Sequence, residues 1–393
     1  MKPRERCLLT FVSAVLLFTS GAAAQEGAPA RDTAEAHAPP PHVDGAAPAD
    51  PPRLTAEDPA PLGRAAPPTE AGSRAVGPLK AGLEVFAQYM YRSVAGGSWF
   101  HVFDVPRVHG AVEGEYEHAR GRVVVEAVRS AAEGALVGVA GDSLVLRVRE
   151  AWASYRPVVP LEVSAGVIPT LTVPDLDGTW MMRVVAPSGL ESSALMTPAD
   201  LGAKARVELP AGYGWVATAF TNGDGYTSRE LNRGKTTEVA AEGHPLANVR
   251  ALRPLAFLAS YVGGSTGTSL ARANRVTGGA LWQGERIRAG VYATHAWGVA
   301  QLGTQRAILA SAFVRLEPIP RLLLAARADH WIRNTGAEQA DRITTLWLAA
   351  GYRVALPIEV FLAADRALPT ARAASEVPGS DAWQLRVIGR VVF

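Results

Sequence analysis

The chain closes with "AWQLRVIGRVVF", residues 382–393. Counting back from Phe393 in steps of two gives Val391, Gly389, Val387, Leu385 and Trp383, an apolar series. The residues between them include Arg390, Arg386 and Gln384. A period of two belongs to a β-strand, whose successive side chains point to opposite faces. One face of this strand suits hydrocarbon and the other suits water.

The same alternation recurs upstream. In "KAGLEVFAQYMYR" (80–92), Leu83, Val85, Ala87, Tyr89 and Tyr91 form one face; Glu84, Gln88 and Arg92 lie on the other. About 16 such segments follow one another from Lys80 to the end. They fall near 80–92, 103–117, 121–130, 143–156, 160–168, 200–209, 213–222, 235–244, 252–263, 274–283, 286–297, 306–317, 320–333, 341–354, 356–366 and 382–393. A tilted strand needs about 9–11 residues to cross a bilayer, and these segments are that long or longer.

Their connections alternate in length. One set is tight: "HAR" (118–120), "PVV" (157–159), "PAG" (210–212), "GE" (284–285), "PI" (318–319) and "AL" (355–356), with "PLANVRA" (245–251) the longest. The other set is longer: "NGDGYTSRELNRGK", "GGSTGTSLARAN", "GVAQLGTQ", "NTGAEQA" and "ALPTARAASEVPGSDA". Even strand number with one short-turn end and one long-loop end predicts an all-β fold, a transmembrane antiparallel up-and-down barrel. Residues 169–199 form a further long connection that carries Trp180, Met181 and Met182. Such side chains predict a loop that folds back onto protein, here into the lumen.

The N-terminal part has a different character. Lys2, Arg4 and Arg6 precede the apolar run "CLLTFVSAVLLF" (7–18), and "AAA" (22–24) offers a cleavage site. Residues 1–24 therefore read as a secretory signal. Residues 25–79 are rich in Pro and Ala and predict a disordered periplasmic linker before the barrel of 80–393. Cys7, within the leader, is the only cysteine, which excludes a disulfide framework and thiolate metal sites in the processed chain. The net charge of +2, without dense basic runs, gives no footprint for nucleic acid. "PDLDG" (174–178) and "NGDGY" (222–226) lack the ligand spacing of a calcium loop, and no cofactor or metal motif occurs.

The alternating last strand with Phe393, Val391, Val387 and Leu385 resembles the assembly signal of bacterial outer-membrane barrels, which places the chain in the bacterial outer membrane. That resemblance implies the barrel assembly machinery and outer-membrane lipid as partners. The strand count and the long loop after the fifth strand resemble the 16-stranded porins. Within them, "LRVREAWASYRP" (146–157) followed by "LEVSAGVIPTLTVPD" (161–175) is similar to the phosphate-selective group. The linker departs from that group, so its specificity is not carried over. The porin resemblance implies a homotrimer and passage of small hydrophilic solutes. Tyr91, Tyr261 and Trp383 would mark the external aromatic girdle, and Tyr116, Trp215, Trp282 and Phe393 the periplasmic one.

A barrel of this size encloses a water-filled channel. Strand parity points Glu113, Glu115, Arg386 and Arg390 into it, along with the candidate pore-wall residues Arg92, Arg107, Arg147 and Arg149. The loop would contribute Asp175, Asp177 and Glu191, acids opposing those arginines across a constriction. The competing reading pairs the arginines with lumen glutamates. From Lys80 onward there are 32 Lys and Arg against 28 Asp and Glu, a slight lean toward anions. Arg183, Arg229, Arg233, Arg272 and Arg275 are expected to add loop charge. The rival classes are an enzyme housed in a barrel, an adhesive or structural barrel without an open pore, and a soluble secreted β-protein. No serine or aspartate motif accompanies any histidine.

Overall fold

The computed structural model describes residues 79–393, except 98, 130–143, 228–232, 267–269, 300–301, 356 and 378. The expected leader (1–24) and all but Leu79 of the expected linker (25–79) lie outside the described residues. Sixteen strands form the wall: β1 Lys80–Val94, β2 Trp99–Tyr116, β3 Ala119–Arg129, β4 Leu144–Val158, β5 Leu161–Pro169, β6 Ala199–Glu208, β7 Gly214–Thr221 and β8 Thr236–Gly243. The wall continues with β9 Leu255–Gly263, β10 Asn274–Gln283, β11 Ile287–Val299, β12 Leu302–Leu316, β13 Leu322–Ile332, β14 Arg342–Ala355, β15 Ile358–Pro369 and β16 Ala382–Val392. Each strand pairs antiparallel with its neighbours in sequence. β16 returns to β1, from Glu84↔Val392 to Val94↔Ala382, and the barrel closes. Closure satisfies every strand edge, which a lipid-embedded sheet requires. Among the described residues no helix is long and apolar enough to cross a membrane.

The outer face is apolar, as the alternation implies. Phe103 and Leu146 are each 80% exposed, and Leu348, Leu362, Leu385 and Val387 stand outward with them. Rings mark both rims. Tyr91 packs against Trp99 and Trp383 at the long-loop end. Tyr155, Tyr352 and Phe393 are exposed near the tight turns. Trp215, expected in the periplasmic girdle, instead points inward and is 4% exposed. On β7 the outward series is Val216, Thr218 and Phe220, and both faces of "GWVATAFT" are apolar enough to mislead a parity assignment.

The loop expected at 298–305 is shorter than its polarity suggested. β11 and β12 continue as a hairpin, with Val299 paired to Leu302. Other loops carry small structure of their own: Ser265–Thr266 pairs with Ala271–Arg272.

Residues 170–198 enter the barrel. They contain α1 (Thr172–Trp180) and the single turn α2 (Gly189–Ser192). Val173, Leu176, Trp180, Met182 and Leu190 are almost completely buried in one cluster with wall residues. Met181, expected to pack like its neighbours, is instead 49% exposed. The wall makes room by being small: Ala217, Ala219, Ala240, Ala256, Ala296, Ala307, Ala325 and Ala363 all face inward and are buried. Burying a side chain such as Trp180 or Leu190 contributes about 1.5–3 kcal/mol, which makes this segment part of the core. Close approach has its own requirement at Gly189, where a Cβ would sit 2.8 Å from the Tyr292 hydroxyl and 2.9 Å from Asp329. At Gly166, φ is +122° and a Cβ would lie 2.2 Å from the Ala151 carbonyl oxygen, so only glycine lets β5 run this close to β4.

Candidate functional site

The lumen has two unlike halves. On β7–β15, alanines receive the folded loop. On β1–β5, the inward residues are long and charged. Wall side chains fasten the loop to the first half. Glu238 on β8 accepts from the Leu171 and Thr172 amides, both at 2.9 Å, and from the Thr172 hydroxyl at 2.6 Å. It therefore supplies acceptors to the free amides at the start of α1, which no side chain within the helix caps. Arg288 on β11 donates to the Gly178 carbonyl, and Arg386 on β16 to that of Val185. Arg327 on β13 donates to Pro187 and stacks between Trp180 and Trp347, 5.4 and 5.2 Å from their ring centres. Arg327 also pairs with Asp329, and Arg386 with Asp365.

Arg275 was expected to add charge in a loop. It instead lies within β10, is 8% exposed and donates to the carbonyls of Leu195, Asn274, Trp297 and Gly298. Its charge therefore holds the loop and is not free for solutes. Arg229 lies outside the described residues.

The three loop acids are divided. Asp177 and Glu191 both pair with Arg183 of the same loop. Asp177 also accepts from the Ser188 amide at 2.9 Å. Burial raises the Asp177 carboxyl, and Arg183 only partly offsets this. For Arg183 burial works against the charge, but Glu191 and Asp177 outweigh it and raise its affinity for the proton. Asp175 faces elsewhere, toward Glu242 on β8. Burial, then the neighbouring Glu242 carboxylate, pushes it well above the usual range.

Across the lumen, Glu126 on β3 is a hub with no exposure of its own. Arg147 pairs with it, Arg149 lies 3.7 Å away, and His109 Nε2 is at 3.3 Å. The Tyr226 hydroxyl, from the β7–β8 loop, donates to it at 2.6 Å. Tyr226 is pushed up to about 12, by burial and by this hydrogen bond, so it stays a neutral donor. Arg147 and Arg149 therefore each lie against a lumen glutamate. Arg107 on β2 is near enough to feel the charges of Arg183 and Glu191 on the loop. Arg92 donates to the Gly379 carbonyl at 2.8 Å, beyond the one-turn-and-a-half helix α3 (Ala371–Glu376).

Of the remaining residues, Glu113 pairs with Arg120 and Arg122 at 2.8 and 3.2 Å. Glu115 stands opposite Arg120 in the β2–β3 register. Arg390 pairs with Glu84 and Glu359 across the closing seam. Leu385 and Val387 lie on the outer face, and Phe393 is 71% exposed at its edge. Parity missed Glu150, which lies 3.5 Å from Arg122 inside the lumen. A bulge on β4 brings Arg149 and Glu150 both inward. The sequence held the signal, since the outward series Leu144, Leu146, Val148 gives way to Ala151, Ala153, Tyr155.

No protein-family model and no curated protein matches this chain. Solved structures do. OmpF of Salmonella typhi, in complex with daunomycin, superposes with a TM-score of 0.60 at 11% identity, over 80% of this chain and 97% of that one. An anion-selective porin from Comamonas acidovorans gives 0.58 at 10% identity, over 80% and 99%. A loop L8 deletion mutant of OmpT, an outer membrane protein of Vibrio cholerae, gives 0.54 at 13%, over 80% and 99%. The shared property is the fold: the closed 16-stranded barrel of the outer-membrane porins. These three do not single out the phosphate-selective group that 146–175 resembles. A closed barrel with this apolar belt is the architecture of a bacterial outer-membrane protein.

Proposed function

We propose that this protein is a porin, an outer-membrane channel through which small hydrophilic and ionic solutes diffuse, with a mild preference for anions. The observation that carries the reading is the division of the lumen. The loop 170–198 packs on the alanine-lined half, where its Arg183 holds Asp177 and Glu191, and the charges of Arg183 and Glu191 reach Arg107 on β2 of the arginine-bearing wall. Solutes then pass between loop and wall, where fixed charges act over distances comparable to the Debye length. Arg107 supports the anion lean, because among the described residues it makes no ion pair, although the charges of Glu191 and Glu126 reach it. The three solved relatives of the fold include one described as an anion-selective porin.

The same reading includes residues 1–24 as a leader and residues 25–79 as a periplasmic linker. It also includes insertion into outer-membrane lipid by the assembly machinery through the last strand, and assembly as a homotrimer. A catalytic reading finds little support in the described histidines. His109 contacts Glu84 and Glu126, His244 contacts Glu242, and His330 contacts Thr344. None of these contacts joins a histidine to a serine.

Planar-bilayer conductance with reversal potentials in a salt gradient tests the proposal. Folded protein should conduct with a reversal potential displaced toward anions, and Arg107→Ala should reduce that displacement more than Arg147→Ala. A folded protein that passes no current would overturn the pore. A cation-directed reversal would overturn the anion preference.

A further inference from the structure

The turn "NGDGY" (222–226), which follows β7 at the long-loop end, folds back over the start of β6. The Asn222 amide donates to the Leu201 carbonyl at 3.0 Å and the Tyr226 amide to that of Ala199 at 3.1 Å. Asp200 accepts from the Gly223 amide at 2.6 Å. At Gly225, φ is +77° and a Cβ would lie 2.6 Å from the Thr197 side chain, so glycine lets the turn seat against the base of the pore loop.

From this seat Tyr226 reaches across the wall. Its hydroxyl donates to Glu126 on β3 at 2.6 Å and accepts from Arg147 on β4 at 3.2 Å. The Arg147 guanidinium lies 5.1 Å from the centre of its ring. In the wall, β4, β5 and β6 separate β3 from β7, so this one side chain bridges three strands. We propose that Tyr226 is a second constriction residue, whose ring fixes the size limit for solutes on the charged side of the lumen. The proposal rests on the reading of the protein as a porin.

The ring is held from several directions. The backbone amide is tied to β6, the hydroxyl both donates and accepts, and a guanidinium covers the ring. Hydrogen bonds to ionised groups are the stronger kind, and both hydroxyl partners are ionised groups. A tyrosine with only two side-chain torsions then has little freedom left to move aside. A ring that served only to stiffen the wall would be sealed within it. Tyr226 is only half-buried and keeps a surface for passing solutes to meet. The two inward segments divide the lumen between them. Loop 170–198 packs on the alanine-lined half, and the 222–226 turn carries Tyr226 over to the charged half.

Liposome swelling with the folded protein tests the assignment, with arabinose and raffinose as neutral probes of two sizes. Tyr226→Ala should raise the ratio of raffinose to arabinose rates about threefold or more, because pore radius governs the passage of neutral solutes. Tyr226→Phe keeps the ring and loses its hydroxyl anchor, so its ratio should fall below that of Tyr226→Ala. A wild-type ratio in folded Tyr226→Ala, or an equal ratio in the two variants, would overturn the proposal. Should Tyr226→Ala fail to fold, Tyr226→Leu takes its place, since it removes the reach of the ring and keeps apolar bulk. Chymotrypsin, which cuts after aromatic residues, gives a readout that needs no transport. Folded wild type should resist cleavage after Tyr226, and folded Glu126→Ala, which has lost the acceptor, should be cut there. Equal resistance in both would overturn the bridge. Wild type that resists the cut yet passes neither sugar overturns the porin reading, and the size limit with it. Wild type that passes both sugars in the same ratio as Tyr226→Ala overturns the size limit alone.

Discussion

The backbones of Leu83 and Phe393 exchange two hydrogen bonds: the Phe393 amide donates to Leu83 at 2.8 Å and the Leu83 amide donates to Phe393 at 3.2 Å. The last residue of the chain thereby extends the ladder that joins the last strand to the first. Arg390 reinforces the same seam from inside through Glu84 and Glu359.

Deleting Phe393 should therefore weaken closure by about 1–3 kcal/mol, the worth of two ladder hydrogen bonds. It should also slow assembly, because the outward ring is lost. Heat-modifiable mobility on a gel reads both: the folded band should shrink and should melt at a lower temperature. An unchanged folded fraction and midpoint would refute the role given to this residue.

The wall was legible because each strand meets two solvents, and a period of two records that contact residue by residue. Leu385, Val387 and Phe393 show it plainly. Parity failed where that condition fails. On β4 the bulge at Arg149 and Glu150 turns two successive residues inward, and Glu150 was missed. On β7 the inward face meets the loop instead of open water, so Trp215 looked like a lipid-facing ring. The loop was harder still. Its length and its Trp180 and Met182 announced that it packs on protein, but its partners depend on strands far along the chain. Asp175 and Asp177 are two residues apart on α1, yet one faces Glu242 and the other Arg183. Helical geometry separates their directions, and the sequence alone does not say which direction meets which wall.

Removing Arg183 should free the loop's tip. Asp177 and Glu191 share this one guanidinium, and all three side chains are mostly covered. Arg183→Met would leave two acids side by side without their cation, at a cost of about 3 kcal/mol or less given their residual contact with water. The expected result is a larger and noisier single-channel conductance, with the barrel still closed on a gel. A quiet channel of wild-type conductance would show that the tip does not depend on this pair.

Removing the acceptor at the start of α1 acts at the other end of the loop. Glu238→Ala leaves the Leu171 and Thr172 amides and the Thr172 hydroxyl without their partner. Each orphaned buried donor costs about 1–3 kcal/mol. Protease digestion of folded protein should then cut within 170–198, where wild type resists. Wild-type resistance would show that Glu238 is dispensable for anchoring.

Asp175 makes stability depend on pH in a definite sense. Its folded affinity for the proton is raised, by burial first and then by Glu242. Its contribution is therefore fully present below the ordinary carboxylate value of about 4 and is lost as pH rises through the higher folded value, by about 1.4 kcal/mol per pH unit within that window. Asp175→Asn removes this dependence. The melting temperature of wild type should fall relative to Asp175→Asn as pH rises from acid toward neutral. A gap that stays constant, or that changes in the opposite direction, would remove Asp175 as the source.

Glu126 sets the charge balance of the arginine-bearing wall. It partners Arg147, approaches Arg149, and accepts from Tyr226. Glu126→Gln keeps the shape and an acceptor while removing the negative charge, so Arg147 and Arg149 face the lumen without compensation. The reversal potential should move further toward anions. The change should be largest in dilute salt, where the Debye length grows to about 30 Å at 0.01 M. Adding Arg147→Met should return the potential toward wild type, because one cation and one anion have then been removed together. A shift toward cations, or a salt-independent one, would show that this cluster lies off the path that ions take.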